Sequence, residues 1–301
     1  MKTPSFVRSF SLSLLVVALG LLVFVSCKEE TPKVNNIVET ALADPKFSTL
    51  VAALQKAELV NTLSGPGPFT VFAPDNAAFT KAGITDLSKI SKEDLSKVLL
   101  DHVLGVNVLA ANVKPGEATT AGSRKIYLSK NASGVFINGK IKVTTADIVT
   151  SNGTIHVIDN VIMQPLKNIV QIASDNPDFS TLVTLVKDAD LVTTLSGGAY
   201  TVFAPTNTAF AELFKTVNPA SLTKKQITDI LLYHVLPGRV FSTDLVNGAS
   251  EQTALGTGKV TVDLSSGAGI KATGGAVSKV TATDFYATNG VVHVIDKVLI
   301  P

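Results

Sequence analysis

Four histidines are the first residues to weigh for chemistry: His102, His156, His234 and His293. An imidazole can ligate a metal or carry a proton near neutral pH. All four recur at matching positions in two halves of the chain, which makes them the candidate ligands and bases. Their surroundings lack the partners such chemistry needs. The sequence contains no His-Glu-x-x-His zinc pattern, no Gly-x-Ser-x-Gly nucleophile elbow and no phosphate-binding glycine loop. Ser64-Gly-Pro-Gly-Pro68 is glycine-rich, but two prolines remove the backbone donors of a phosphate cradle, so it reads as a turn. His102 and His234 fall on apolar stripes of expected helices, where a hydrogen-bonded core imidazole is the simpler reading. The expectation is a protein with no enzymatic activity, no cofactor and no metal site.

Cys27 is the single cysteine. It follows a segment with Lys2 and Arg8 at its start and an almost wholly apolar run from Phe10 to Val25, the pattern of an export signal. Phe24-Val25-Ser26-Cys27 resembles a lipobox, with Phe24 where leucine is usual. The resemblance implies cleavage before Cys27 and attachment of acyl chains to its sulfur. Residues 1–26 are then a lipoprotein signal peptide and residues 27–33 a tether, its last six residues spanning at most about 20 Å. The expected partner on this side is a membrane, held through the N-terminal lipid. Lys28-Glu29-Glu30 is similar to the charged signal that sends some lipoproteins to the exposed face of an outer membrane, with a periplasm-facing location as the alternative. The net charge of +2 equals the contribution of Lys2 and Arg8. The rest is electrically balanced, without the basic patch that nucleic-acid binding requires. At 46% hydrophobic and 17% charged residues, the chain is expected to fold.

Four blocks occur twice in the same order. Asp44-Pro-Lys-Phe-Ser-Thr-Leu-Val51 returns as Asn176-Pro-Asp-Phe-Ser-Thr-Leu-Val183, and Phe69-Thr-Val-Phe-Ala-Pro74 returns as Tyr200-Thr-Val-Phe-Ala-Pro205. Leu99-Leu-Asp-His-Val-Leu104 returns as Leu231-Leu-Tyr-His-Val-Leu236. Asn152-Gly-Thr-Ile-His-Val-Ile-Asp159 returns as Asn289-Gly-Val-Val-His-Val-Ile-Asp296. The chain is a duplication, with domains expected at 34–165 and 166–301 and no flexible linker between them. Phe47, Leu50, Val51 and Leu54 follow helical spacing, as do Phe179, Leu182, Val183 and Val186. A second helix is expected after Ser91 and after Thr223, where Thr223 and Gln226 form a capping-box pattern. The later part of each half reads as strands, with Asn138-Gly139, Asn152-Gly153 and Asn289-Gly290 as hairpin signals. Helices first and strands later imply an α+β domain.

Phe69-Thr-Val-Phe-Ala-Pro74, its second copy, and the Asn-Gly-x-x-His-Val-Ile-Asp blocks resemble the two signatures of the fasciclin domain, and Tyr233-His234 resembles that family's Tyr-His pair. The resemblance covers nearly all of residues 34–301. It implies two tandem domains, each a β-sandwich-like wedge with flanking helices, and a role in adhesion or matrix contact. The implied partners are a cell-surface or matrix protein or glycan. By the same resemblance the partner-binding residues would be Tyr233, His234, Asp147, Ile148, Asp284 and Phe285. Asp101 stands where the first pair would have Tyr, and Phe285 where the last would have Ile. A carrier for a small apolar ligand or lipid, or an envelope scaffold, is the alternative; a carrier would require a sizeable apolar pocket.

Overall fold

A computed structural model describes residues 33–301. The expectations for the signal peptide, for Cys27 and for the tether up to Pro32 lie outside the described residues. In the first domain, α1 (Ile37–Ala43), α2 (Ser48–Lys56) and α3 (Val60–Ser64) precede β1 (Phe69–Pro74), followed by α4 (Asn76–Lys81), α5 (Lys92–Leu100) and β2 (Val103–Leu104). Strands β3 (Gly116–Thr119), β4 (Lys125–Asn131), β5 (Gly134–Ile137), β6 (Ile141–Thr150) and β7 (Gly153–Ile158) complete it. The second domain repeats the order with α6 (Ile169–Ser174), α7 (Ser180–Asp188), α8 (Val192–Ser196), β8 (Tyr200–Pro205), α9 (Asn207–Phe214) and α10 (Lys224–Tyr233). Its remaining strands are β9 (Val235–Pro237), β10 (Ser250–Gln252), β11 (Lys259–Asp263), β12 (Gly269–Ala272), β13 (Val277–Ala287) and β14 (Gly290–Ile295).

Helix starts follow from side chains that satisfy the first-turn N–H groups. Asn36 and Asn168 cap α1 and α6, and Thr223 with Gln226 forms the full capping box that the sequence pattern implies. Ser91 accepts from Asp94 N without the reciprocal half. Each domain has one seven-stranded sheet, ordered β2-β1-β7-β6-β5-β4-β3 and β10-β11-β12-β13-β14-β8-β9. The signature strands β1 and β7 pair in parallel, as do β8 and β14. Every residue of β7 and β14 is buried, so both faces of each strand are covered. Register shifts in β6 and β13 bend each sheet. One half packs on the helices through Phe47, Leu54, Leu99 and Ile155, and the other encloses Phe72, Ile126, Ile137 and Ile158. That is the α+β wedge with flanking helices.

Only one of the three Asn-Gly pairs is a hairpin of the expected kind. Asn138 and Gly139 both take positive φ, 50° and 73°, between β5 and β6. At Asn152-Gly153 the glycine instead opens β7, where a Cβ would stand 2.1 Å from Phe69 O on the parallel neighbour. Asn152 acts as a clamp: Oδ1 accepts from Ile37 N, and Nδ2 donates to Leu63 O and Gly65 O. Asn289 binds Ile169 N, Leu195 O and Gly197 O in the same way. The signature Asn therefore ties the first and third helices of each domain to the sheet.

Candidate functional site

Every imidazole has its lone pair engaged by a backbone N–H. His102 lies just past the end of α5 and His234 caps α10, one or two residues beyond the helices expected to carry them. His102 Nε2 accepts from Ile162 N at 2.9 Å, so the proton sits on Nδ1 and is donated to Val98 O at 2.8 Å. His234 makes the equivalent pair with Leu299 N and Ile230 O. Burial pushes both down to about 4, against the pull of those carbonyls. His156 and His293 carry the opposite tautomer. Nδ1 accepts from Asp147 N or Asp284 N, and Nε2–H donates to Val108 O or Val240 O. With both nitrogens committed, none of the four is placed to ligate a metal or take a substrate proton. Among the described residues no cluster of three or more His, Cys, Asp or Glu side chains could hold a metal ion.

Tyr233 and His234 are buried, so neither presents its side chain to a partner. Tyr233 Oη donates to Lys259 O at 2.6 Å and accepts from Thr273 N at 3.2 Å, bracing α10 against β11 and the turn after β12. A Cβ on Gly258 would stand 2.4 Å from its ring. In the first domain Asp101 fills that position with Arg124 opposite: Arg124 Nε donates to Asp101 Oδ1 at 2.9 Å and Nη2 lies 2.6 Å from Oδ2. Thr120 N donates to Arg124 O where Thr253 N donates to Gly258 O, so Arg124 and Gly258 are equivalent. A Tyr–Gly pair in one domain is an Asp–Arg pair in the other. Burial raises the Asp101 carboxyl, with Arg124 opposing.

Asp147 and Asp284 occupy the bulges of β6 and β13 at φ of 60° and 58°, a left-handed conformation that Asp tolerates better than most residues. Their carboxylates hold the loop that crosses the sheet: Asp147 Oδ1 accepts from Ala110 N at 2.8 Å, and Asp284 Oδ1 from Ser242 N at 2.7 Å. Ile148 is half-buried and packs on the helical core. Phe285 is 39% exposed, with Lys140 Nζ of the first domain 5.1 Å from its ring centroid.

These shared bonds align the two corners residue by residue. Ala110 matches Ser242 through the bulge aspartates, and Val108 matches Val240 through the strand histidines. Leu109 therefore stands where Phe241 does. Val149 pairs with Thr154 as Tyr286 pairs with Val291, so those two also correspond. The fates of the corners differ. Phe241 is 0% exposed, packed between Tyr286 of its own domain and Tyr127 of the first, over Gly139. Arg239 Nη1 donates to Glu117 Oε1 at 2.8 Å, and Asn131 Nδ2 to Thr243 O at 3.1 Å. Burial raises the Asp244 carboxyl, near which Ser129 Oγ stops short of a formed hydrogen bond. The second domain's corner is thus consumed in joining the domains, and the orientation that no linker could fix is set here. In the first domain the corner is open, with Leu109 36% and Val149 68% exposed. The resemblance pointed to the bulge aspartates but not to Phe241, Arg239 or Leu109. Only the repeat alignment, read through the loop bonds, could have found them.

A more open, part-polar pocket of about 470 Å³ lies beside Tyr233, Leu255, Lys259 and Pro301. The enclosed apolar cavities are small. One of about 70 Å³ lies in the second domain among Ile169, Leu182, Val186, Leu195 and Val202, and its first-domain equivalent is about 10 Å³. Another of about 200 Å³ sits between Phe79, Ile90, Val98 and Met163. Sites for drug-sized ligands enclose roughly 300–1,000 Å³.

Two stretches, 45–164 and 177–301, match the family model described as "Fasciclin domain". The chain belongs to the fasciclin family. It is 30% identical over 275 residues to "Transforming growth factor-beta-induced protein ig-h3" of Sus scrofa, covering 89% of this chain and 40% of that protein. "Protein sll1483" of Synechocystis is 42% identical over 140 residues, 45% of this chain and 77% of that one. "Immunogenic protein MPB70" of Mycobacterium bovis is 36% identical over 139 residues, 43% of this chain and 69% of its own. This chain thus spans less than half the length of ig-h3. A solved FAS1 domain pair from the insect cell adhesion molecule Fasciclin I covers 83% of this chain and 92% of its own, with 19% identity and a TM-score of 0.41. No described helix is long and apolar enough to cross a membrane.

Proposed function

We propose that this chain is an extracytoplasmic adhesion or binding module, tethered by lipid on Cys27 to an outer membrane and turned to the cell exterior. It contacts a cell-surface or matrix protein or glycan through the first-domain corner formed by Asp147, Ile148, Val149 and Leu109. The observation carrying this reading is the asymmetry of the corners. A fold that uses one copy of a surface internally leaves the other, with two aliphatic side chains in the open, as the natural contact site. Family membership and the relatives' names support the adhesive role. The engaged imidazoles offer no free acid or base, and the enclosed apolar cavities are smaller than a lipid site, while the more open, part-polar pocket of about 470 Å³ beside Tyr233, Leu255 and Pro301 is where the carrier alternative would have to bind its ligand. Protease treatment of intact cells tests the display. Removal of the wild-type protein, and loss of a Cys27→Ala variant to the medium, are expected; protection in intact cells would place it facing the periplasm and sink the adhesive reading.

A further inference from the structure

A cavity of about 200 Å³ lies in the first domain where α4, α5 and the segment after β7 meet. Phe79, Ile90, Leu95, Val98, Val161 and Met163 form most of its wall. The polar residues on its border are already engaged. Asp94 Oδ2 accepts from Ser91 Oγ at 2.9 Å and Oδ1 from Lys97 Nζ at 3.2 Å, and His102 has both nitrogens bonded to backbone. A water in a buried space needs about two to four polar partners, so a space walled like this stays dry. The second domain closes the equivalent place. His102 and His234 bond back to Val98 O and Ile230 O, which sets α5 and α10 in register: Leu95 matches Ile227, Leu99 matches Leu231, and Ile90 and Leu222 directly precede the caps Ser91 and Thr223. Phe79 matches Phe210, each four residues past its own helix cap. Phe210, Leu222, Ile227, Ile230 and Leu231 border only about 20 Å³. Leu213 and Phe214 stand beside them, with the Phe214 ring 5.9 Å from that of Phe210. At those two positions the first domain has Ala82 and Gly83, and its Val98 is one methylene smaller than Ile230.

We propose that this first-domain cavity is a binding site for a small apolar molecule, a single six-membered ring with at most a short alkyl group. Size and chemistry both follow from the walls. An apolar cavity of about 150 Å³ lined by Leu, Ile and Phe takes up benzene from water. A space of about 200 Å³ therefore admits one ring with a short alkyl substituent and excludes two fused rings. It is too small for a lipid or a drug-sized ligand. A charged or strongly polar ring would shed its water here with no free partner to replace it, so the site selects against such molecules. Entry runs past Met163, which is 53% exposed and unbranched, a side chain that can swing aside and close again. Protein interiors are otherwise close-packed, and the second domain shows that this fold can fill the position. The open space is thus a property of the first domain's own residues. Val161 and Met163 belong to the segment leading into the second domain, with Ile162 N between them held by His102 Nε2, so an occupant rests against that segment. The site shares no lining residue with the Leu109 corner and does not depend on what that corner binds.

Met163 supplies a local probe, because Met1 is the only other methionine in the sequence. Toluene is titrated into the full chain carrying Cys27→Ala, which removes the acylation site so that no lipid takes up the probe, with the methionine methyl groups enriched in carbon-13 for NMR. The Met163 methyl resonance should shift under the ring current and saturate, and naphthalene should leave it in place. Val98→Phe, which fills the space, should weaken toluene binding about tenfold or more. If that variant fails to fold, Val98→Ile, which installs the second domain's residue, should weaken binding in the same direction. The proposal is overturned if the Met163 signal does not saturate with toluene, if naphthalene saturates it equally well, or if a folded Val98 variant binds toluene as tightly as the parent. Toluene uptake that leaves the Met163 signal unmoved would put the ligand elsewhere and overturn it too.

Discussion

Acidification should unfold this protein through its two buried helix-end histidines. Folded His102 and His234 titrate at about 4, against 6.5 for the free side chain. The sign follows from linkage. Both folded values are depressed, so between pH 6.5 and about 4 the unfolded chain binds protons that the folded chain refuses, and stability falls as pH falls through that window. At about 1.4 kcal/mol per pH unit inside that window, each histidine costs on the order of 2–3 kcal/mol near pH 4.5. The structure supplies the reason. Protonation would place a hydrogen on Nε2, which already accepts from Ile162 N or Leu299 N, and would put a charge where water cannot reach. Each domain carries one such histidine, so each should lose stability by a similar amount. Burial of His293, which lowers it as well, adds to the loss in the second domain. Urea unfolding at pH 7.0, 6.0, 5.0 and 4.5, followed by circular dichroism, reads the slope. His102→Gln and His234→Gln should each remove about one proton from the pH dependence of the domain that carries it. A stability that stays flat from pH 7 to 4.5 would refute the assignment of neutral, fully bonded imidazoles.

Truncating the junction should uncouple the domains. Phe241→Ala removes a fully buried ring, a change worth about 3–5 kcal/mol in a core. Ser129 Oγ, Asn138 Nδ2, Arg239 Nε and Thr243 Oγ1 are buried at the junction without a protein partner, which makes it weaker than its aromatic content implies. Calorimetry should therefore show two transitions in place of one, and a single unshifted transition would contradict the docking. Asn289→Ala, which deletes three hydrogen bonds, two of them buried, should destabilise the second domain by about 2–4 kcal/mol, more than Asn152→Ala does in the less buried first-domain site; equal and small losses in denaturant melts would argue against the clamp. Asp101→Ala should cost about 2 kcal/mol by stranding Arg124. The double variant Asp101→Tyr with Arg124→Gly, which installs the second domain's solution, should recover most of that; a double variant no better than the single would break the equivalence.

The duplication, the Thr223 cap and the two signature blocks were legible in the sequence because they are local or periodic. Thr223 with Gln226 encodes a helix start within four residues, and Phe69–Pro74 is apolar apart from Thr70 because its strand is covered on both faces. Side-chain orientation was not legible. Tyr233 and His234 stand in a segment that looks like a binding motif, yet both turn inward, since Tyr233 Oη and His234 Nε2 satisfy backbone groups of β11, the β12–β13 turn and the C-terminal segment, far along the chain. Asn152 resembles a turn residue, but the backbone groups it clamps are 87 to 115 positions away. Local rules see only the turn.

By itself the sequence determined that two copies of one domain exist and that each is α+β. Those conclusions rest on residue type and spacing, which short-range sterics and hydrophobic burial translate directly into elements. Which of two equivalent corners is used up was decided only by tertiary structure. Leu109 and Phe241 occupy the same place in their domains, and the difference between an exposed contact and a buried one arises from what lies across from each: Tyr127 and Gly139 opposite Phe241, and open solvent beside Leu109.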